Sequence, residues 1–479
     1  MTDRTALARI DSFPYRHRLR DVMSAPVLTA PPTLSLTEAI RRMHAARVSS
    51  IVAVDGAGRT AGIFTERDLL RILSTAGAAG LDRPLAGAMS APVAAVAAEA
   101  FVYVALAKMT RHGFRHLVVE DGDGRPVGVV TGRGLLKVRA SEALVVEDTV
   151  AEAAGPADLA RAVAALPGLA GALLAEGVTA ANVAAVVAAT VRDMTARAAQ
   201  LAERALAEAG LGPPPARYAL LVLGSAGRGE SLLSFDQDNA IVHAGGADDD
   251  PWFAELGRRV NATLNAAGIP FCPGGVMARE PAWRRSLDQW KDTVHGWVFA
   301  VENQTVMNCD IFFDFVPVWG DRALAEELRD YAVTQAAQSA FFLQYLAQNV
   351  ANMDNPLGLF GRFLTAEGRL DVKRYALLPL VSAARLRAIR AHLSATGTDE
   401  RYGALRDRGA LHADDWRDFL DVHETVLRLM LDQQLADIAA GTGPSARVAP
   451  SRLGGRDRAR LRWVFKRLKT LKHVCRVGG

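Results

Sequence analysis

Two aspartates two positions apart, Asp236 and Asp238, are the residues of this sequence best suited to metal-assisted chemistry. Residues 235–242 are interpreted as a strand, in which side chains two residues apart lie on the same side of the chain, so both carboxylates would face one point. Two like charges held close together are costly unless a cation lies between them. Mg²⁺ prefers oxygen ligands and bridges carboxylates to substrate phosphates. The pair therefore predicts a magnesium site, with two ions if an in-line phosphoryl displacement is catalysed.

A phosphate-binding turn is predicted immediately before this pair. Gly224 and Ser225 follow an apolar run of strand length, residues 217–223. Glycine lets the backbone approach an anion closely, and the start of a helix offers free N–H donors. The order of strand, Gly-Ser, helix and acidic pair predicts that substrate phosphates are held beside the metal.

A third carboxylate is expected to complete the metal site. The apolar segment 309–316, which we interpret as a strand, contains Asp310 and Asp314. Their spacing of four places them on a common face of such a strand. Asp314 is the preferred third metal ligand, or the base that takes a proton from the attacking hydroxyl, and Asp310 is the alternative.

The string from Gly224 to Asp238 resembles the nucleotidyltransferases of the polymerase-β superfamily. It is most similar to the uridylyltransferase domain of bacterial nitrogen sensors and to the DUF294 family, in which Gly-Ser, Gly-Arg, Glu and Asp-Gln-Asp-Asn follow in this order. The resemblance implies Mg²⁺-dependent transfer of NMP from an NTP to a hydroxyl of a small molecule or of a protein such as PII. It also implies that Gly224, Ser225 and Arg228 contact the nucleotide. Val316 departs from the family, which usually has Arg there.

The N-terminal part of the chain contains an internal repeat with a constant offset of 66 residues. Pro26-Val27 is matched by Pro92-Val93, Gly62 by Gly128 and Thr65 by Thr131. Each copy predicts a short strand, a helix, two strands around a tight turn and a second helix. For the first copy these are strands 27–30 and 50–54 and a strand ending at 64, with helices over 36–46 and from 65.

This repeat resembles a tandem pair of CBS domains over residues 18–140, with copies at 18–78 and 84–140. The motif from Gly62 to Asp68 matches the family's adenosine-nucleotide site, which implies that Thr65 meets phosphate and Asp68 meets ribose. The second copy keeps Thr131 but has Gly134 in place of the ribose carboxylate. We expect AMP, ADP or ATP as the ligand and a homodimer formed through the pair. Alternatively, Thr65 only caps a helix and the pair is a dimer interface.

The remaining sequence predicts a multi-domain α/β protein. A helical connector over 141–216 has a helix opening at Pro156, a break at Pro167-Gly168 and a long helix over 180–209. The nucleotidyltransferase α/β domain spans 217–321, and a helical domain over 322–479 resembles the family's substrate-binding domain. Superfamily members often bring a helical cation to the nucleotide phosphates, for which Lys373 is the candidate and Arg385 the alternative.

Bulk composition excludes several other classes of protein. The chain has 479 residues, a net charge of +4 and 50% hydrophobic residues, which indicates ordinary globular domains. Its three cysteines do not form a disulfide pattern, and we expect a cytoplasmic protein with no membrane contact. The basic segment 452–476 is interpreted as an amphipathic helix, so nucleic acid is an unlikely partner. The acceptor is unidentified.

Two other functions remain open at this level. A degenerate nucleotidyltransferase would act as a nucleotide-sensing regulator without catalysis. An RNA nucleotidyltransferase is the less favoured alternative, because the sequence lacks a basic single-strand channel motif and an Arg-Asp signature after Gly274-Gly275.

Overall fold

A computed structural model describes residues 17–132, 134–135, 146–300, 303–358 and 362–477 of this chain. The chain forms two compact units, Met1–Leu144 and Val145–Gly479. The first unit contains the repeat, and the second contains a four-stranded sheet surrounded by helices. The α/β multi-domain class predicted from the sequence is confirmed.

The two copies of the repeat have the same order of elements up to their third strand. After a short helix α1 (Leu19–Val22), the first copy has β1 (Thr29–Ala30), α2 (Leu36–Ala46), β2 (Ser50–Val54), β3 (Thr60–Thr65) and α3 (Glu66–Ala76). The second has β4 (Ala95–Ala97), α4 (Val102–His112), β5 (His116–Glu120) and β6 (Pro126–Thr131). In each copy the first strand is parallel to the second, and the second is antiparallel to the third.

The two copies pack through equivalent residues. Val52 and Ile63 of the first copy form one core cluster with Val118 and Val129 of the second, which are their counterparts 66 positions later. A Cβ at Gly62 would lie 2.2 Å from Sδ of Met89, and a Cβ at Gly128 would lie 2.4 Å from Sδ of Met23. Both glycines are needed for close approach, which explains why the repeat keeps them.

The sheet of the second unit has the strand order β10-β7-β8-β9. Its strands are β7 (Tyr218–Val222), β8 (Asn239–His243), β9 (Arg284–Ser286) and β10 (Val316–Gly320). The inner strands β7 and β8 are buried along their whole length. Strand β7 is antiparallel to both neighbours, whereas β8 and β9 are parallel. A second, two-stranded sheet pairs β11 (Leu370–Asp371) with β12 (Arg447–Val448).

Helices cover the sheet and build the C-terminal part. They are α5 (Pro156–Ala175), α6 (Ala180–Glu208), α7 (Gly224–Arg228), α8 (Asp250–Ala266), α9 (Leu287–Phe299), α10 (Asn303–Phe312), α11 (Arg322–Gln338), α12 (Ala340–Asn352), α13 (Leu378–Arg390), α14 (Thr398–Asp407), α15 (Ala413–Ala439) and α16 (Gly455–Val477). The long helix α6 packs against α7, α8 and α15. It is therefore part of the second unit.

Helix α5 is long and apolar enough, by length and composition alone, to cross a membrane, and no other helix in the described part of the chain meets that test. Its buried residues include Leu166 and Leu169, and it packs against α6 and α8. The predicted break at Pro167 is wrong, since Pro167 lies inside this helix. Burial of both neighbouring leucines outweighs the cost of a proline inside a helix, about 3 kcal/mol.

Two strand predictions also need correction. The segment 309–316 is not a strand, because α10 extends to Phe312 and β10 begins only at Val316. Cys309, Phe312 and Phe313 are all buried, and a short continuous apolar run fits a buried helix as well as a strand. Residues 236–238 precede β8 rather than lying on it. The basic C-terminal segment is amphipathic as predicted, with Leu461, Phe465 and Leu468 buried on α16.

Candidate active site

The turn after β7 brings the Gly-Ser pair against the acidic pair. Gly224 opens α7 with φ +57°, and a Cβ there would lie 2.4 Å from Oδ2 of Asp238. Glycine is therefore required both by the backbone conformation and by the neighbouring carboxylate. The backbone N–H of Leu223 donates to the carbonyl of Asp238 over 2.9 Å. Ser225 lies in the first turn of α7, with its Oγ 3.2 Å from Oγ of Ser231.

In the segment 236–239 the two amide side chains anchor the backbone, and the two aspartates that alternate with them are left for chemistry. The side chains of Gln237 and Asn239 are buried, and their oxygens accept hydrogen bonds from Nδ2 of Asn261 over 2.8 and 2.9 Å. Asp236 and Asp238 are only half-buried. The sequence does not single out Asn261, whose position on α8 becomes informative only when the helix is packed against this segment.

The carboxylates of Asp236 and Asp238 and the thiol of Cys272 lie together, with one possible ligand atom from each within 4.8 Å of the others. Burial, together with the charge of Asp236, raises the pKa of Asp238 to about 6. Burial and the charge of Asp238 raise the pKa of the Cys272 thiol to about 11, so the thiol stays protonated at neutral pH and is hydrogen-bonded to Asp238. Within the described ranges this is the one cluster of metal-ligating side chains.

These residues fit a hard divalent cation. A cation between Asp236 and Asp238 would remove the cost of burying two like charges, and carboxylate oxygens suit Mg²⁺. The protonated thiol of Cys272 is a poor ligand for that ion. Two carboxylates leave most coordination positions to water and phosphate oxygens, as is usual for Mg²⁺ in phosphoryl-transfer sites.

Lys373 is a cation of the C-terminal part whose charge affects the pKa of Asp238. Its positive charge opposes the rise in the pKa of Asp238. Lys373 begins a short π-helical segment, Lys373–Leu377, that leads into α13. The side chain is exposed and forms no ion pair with any residue described in the structure. Lys373 is thus free to meet a ligand bound at the two aspartates.

Asp314 is held in a different cluster. It is fully buried, and guanidinium groups of Arg228, Arg385 and Arg401 lie 2.7, 2.6 and 2.8 Å from its carboxylate oxygens. Although burial opposes ionisation, these three charges hold the pKa of Asp314 well below its usual range. The prediction of Asp314 as third metal ligand or base is therefore wrong, because its oxygens are already paired. The alternative, Asp310, is likewise bound by Arg385.

Arg228 and Arg385 belong to this buried cluster rather than to the phosphate site. Arg228 Nε also lies 2.7 Å from Oε2 of Glu230, and both side chains are almost fully buried. Oε1 of Glu230 accepts the backbone N–H of Thr398 over 2.6 Å. The prediction of Arg228 as a nucleotide contact, and of Arg385 as an alternative to Lys373, is contradicted by these pairings. The cluster instead joins α7 to α13 and α14.

The first unit has a cavity of about 280 Å³ at the predicted adenosine-nucleotide motif. Thr65 and Asp68 line it together with Gly113, Phe114 and other residues of the second copy. Oδ2 of Asp68 accepts from the backbone N–H of Thr65 over 3.0 Å and from its hydroxyl over 2.8 Å. Oγ1 of Thr65 accepts from the backbone N–H of Asp68 over 3.4 Å, so Thr65 caps the helix α3 beside the cavity.

The second copy lacks the equivalent carboxylate. Gly134 donates its backbone N–H to Oγ1 of Thr131 over 2.8 Å. Thr131 therefore caps the following turn as Thr65 caps α3, but no side chain at 134 can bind a ribose hydroxyl.

Family models match three parts of the chain. Residues 164–304 match the model described as "Putative nucleotidyltransferase DUF294", and residues 340–477 match "Putative nucleotidyltransferase substrate binding domain". Residues 19–75 and 85–141 each match the CBS domain model. These matches support the three resemblances expected from the sequence.

Curated relatives resemble only part of the chain. An uncharacterized 17.7 kDa protein of Acidianus ambivalens is 29% identical over 120 residues, which are 25% of this chain and 71% of that protein. An uncharacterized 33.4 kDa protein of Thermofilum pendens is 33% identical over 129 residues, 25% of this chain and 42% of that protein.

Solved structures resemble the chain over a similar length. A CBS-domain-containing protein of Agrobacterium tumefaciens is 31% identical, with 26% of this chain and 98% of that one covered at a TM-score of 0.24. A CBS domain protein of Pyrobaculum aerophilum, complexed with AMP, is 28% identical, with 26% and 99% covered and a TM-score of 0.24.

Proposed function

Since this chain belongs to the proteins that join a CBS pair to a DUF294 nucleotidyltransferase domain and its substrate-binding domain, we propose that it is a regulated nucleotidyltransferase. It transfers NMP from an NTP to a hydroxyl group. The observation that carries this proposal is the meeting of Asp236 and Asp238 with the Gly224-Ser225 turn.

Each residue of the site has a separate role in the transfer reaction. The acceptor oxygen gives up its proton to solvent and forms a bond to the α-phosphorus, while the bond from that phosphorus to the bridging oxygen breaks and pyrophosphate leaves. Asp236 and Asp238 would hold Mg²⁺, which would supply positive charge to the phosphate oxygens. The backbone of Gly224 and the hydroxyl of Ser225 hold phosphate, and Lys373 adds a positive charge from the C-terminal domain.

UTP and a PII-like protein are the first substrate and acceptor to test, because the motif resembles uridylyltransferases. We assign the regulatory ligand to the cavity at Thr65 and Asp68, which an adenine nucleotide would fill. The protein acts in the cytoplasm as a homodimer joined through the CBS pair. The free thiols of Cys272 and Cys309 are consistent with a reducing compartment.

The test uses the full chain with Mg²⁺, each of the four NTPs labelled at the α-phosphate, a PII protein and a cell lysate. We expect label transfer and pyrophosphate release that Asp236→Asn and Asp238→Asn each reduce by about 100-fold or more. Asp248→Asn is the matched control, since Asp248 is an exposed aspartate outside the site. Absence of pyrophosphate release with all four NTPs, with and without AMP, would favour the non-catalytic regulator instead.

A further inference from the structure

Two adjoining cavities lie beside β10 in the second unit, and we call them together the Arg192 cleft. One has a volume of about 540 Å³ and the other about 350 Å³. Both are lined by Arg192, Val316, Thr396 and Glu400. Neither cavity is lined by the acidic pair, by Ser225 or by Lys373, so the cleft is separate from the proposed active site.

The larger cavity contains two guanidinium groups without a carboxylate partner among the described residues. Within the described residues Arg329 forms neither a hydrogen bond nor an ion pair, and its guanidinium lies 4.1 Å from the ring centroid of Phe315. Burial and repulsion by Arg401 lower the pKa of Arg329 to about 10, so it is still charged at neutral pH. Arg192 uses Nε and Nη2 for the backbone carbonyls of residues 226 and 227, each over 2.7 Å.

The smaller cavity adds two buried polar atoms that have no hydrogen-bond partner in the described structure, Oγ1 of Thr398 and Nε2 of His423. Thr398 is 0% exposed and His423 is 2% exposed. Burial opposes a charge on His423, but a hydrogen bond with Asp399 over 2.7 Å and the charge of Glu230 raise its pKa. A protonated imidazole presents Nε2 as a donor.

Most carboxylates of the cleft already have partners. The carboxylate of Glu326 accepts from Arg322, and that of Glu400 accepts from the backbone N–H groups of Thr396 and Gly397. The carboxylate of Glu230 accepts from Arg228, and that of Asp399 is hydrogen-bonded to His423. Asp330 is exposed. The guanidinium of Arg329 can only donate, and the hydroxyl of Thr398 and a protonated His423, whose Nε2 lies 3.9 Å from Oε2 of Glu230, can also donate. A ligand that satisfied these groups would supply several acceptor oxygens.

We propose that the Arg192 cleft binds a small phosphorylated metabolite, with its phosphate at Arg192 and Arg329. A phosphate offers several oxygens to planar guanidinium donors, and charge-assisted hydrogen bonds of this kind are the strong ones. The volumes are those of ordinary small-molecule sites. Because Arg192 holds two carbonyls of α7, the occupant acts on the same short helix that carries Ser225.

The experiment is calorimetric titration of the full chain with inorganic phosphate in EDTA, where no transfer reaction can contribute. Arg329→Gln is expected to weaken phosphate binding by about tenfold or more, since one charge-assisted contact is lost. The matched control is Arg322→Gln, which removes an exposed guanidinium of the same cavity that is already paired, and it should change affinity by less than about twofold. Val316→Glu places a negative charge into both cavities and should abolish binding.

Each contrary result is decisive. Wild-type affinity in Arg329→Gln and Val316→Glu, or no phosphate binding by the wild type at tens of millimolar, would overturn the site. Loss of binding in Lys373→Ala would move the phosphate to the acidic pair. Equal binding of acetate would overturn the assignment to phosphate. If Arg329→Gln does not fold, Val316→Glu decides the question. A failure here leaves NMP transfer untouched, since that reaction is measured separately with Mg²⁺.

Discussion

Asp238 and Asp314 both contact the short helix α7, but their surroundings give their charges different consequences. Asp314 is paired with three guanidinium groups, and its pKa is lowered. Asp238 lies beside Asp236, and its pKa is raised to about 6. A buried charge with partners stabilises packing, whereas a partly buried charge beside a like charge is costly until a cation binds. Residue type alone does not distinguish the two aspartates.

The acidic pair should therefore make stability depend on Mg²⁺. At pH 7.5, which is above the pKa of about 6 of Asp238, Mg²⁺ at about 100 times its dissociation constant should stabilise the wild type by about 2.7 kcal/mol. Asp238→Asn should lose this effect, while its metal-free form should be no less stable than the wild type because a repulsion has been removed. Thermal unfolding with Mg²⁺ and with EDTA measures both.

Asp248→Asn controls for a general loss of negative charge and should respond to Mg²⁺ as the wild type does. An equal Mg²⁺ response in Asp238→Asn would show that the ion binds elsewhere.

Substitution of Asp314 should have the opposite effect on stability to substitution of Asp238. Asp314→Asn leaves three buried arginines with one carboxylate fewer and should lower the free energy of unfolding by about 3–5 kcal/mol. Urea denaturation without metal measures this loss. A variant of wild-type stability that no longer responds to Mg²⁺ would restore Asp314 as a metal ligand.

At this scale the sequence identifies the acidic pair, because both residues and their anchors lie within four consecutive positions. It does not identify the partners of Asp314, because Arg385 and Arg401 come from α13 and α14, about 70 and 90 positions away. Asn261 is missed for the same reason. Contacts between distant elements have no local signature.

Among the elements, α7 is the most constrained by its neighbours. A Cβ at Gly227 would lie 2.1 Å from the carbonyl oxygen of Asp314 and 2.9 Å from that of Val222. Both neighbours are backbone atoms that cannot rotate away. Gly227→Ala should therefore lower the free energy of unfolding by about 1–3 kcal/mol through overpacking, and it should impair NMP transfer by moving α7.

Gly296 provides the matched control for this substitution. It lies near the exposed end of α9, where an added Cβ would meet no heavy atom within 4 Å. Gly296→Ala should raise the free energy of unfolding by about 0.5–1 kcal/mol, since alanine is the better helix former. Urea unfolding of the two variants gives opposite signs if the close approach at Gly227 is what matters. Equal effects would contradict it.

Element bounds follow from the sequence wherever a cap or a period is present. Helix α2 and strand β2 have the predicted bounds, and Thr65 caps α3 as predicted. The segment 309–316 has neither a cap nor a period, because its apolar residues are buried on all sides. Its helical start is decided by packing, which a local pattern does not contain.

At the scale of the whole molecule, the two compact units should respond to different ligands. Calorimetry of the full chain is expected to show two unfolding transitions, because each unit has a hydrophobic core of its own. AMP should raise mainly the transition of the first unit, and Mg²⁺ mainly that of the second.

Single substitutions should separate these responses. Asp68→Ala should lose the AMP effect and keep the Mg²⁺ effect, and Asp238→Asn should do the reverse.

AMP should bind with one equivalent per chain, since only the first copy has a carboxylate at the ribose position and Gly134 stands in the second. Titration calorimetry gives that number directly. Two equivalents, or an AMP response that survives Asp68→Ala, would place the nucleotide outside the first-copy cavity. If AMP also shifts the second transition, the two units are energetically coupled. That coupling would be the thermodynamic basis for regulation of NMP transfer by the CBS pair.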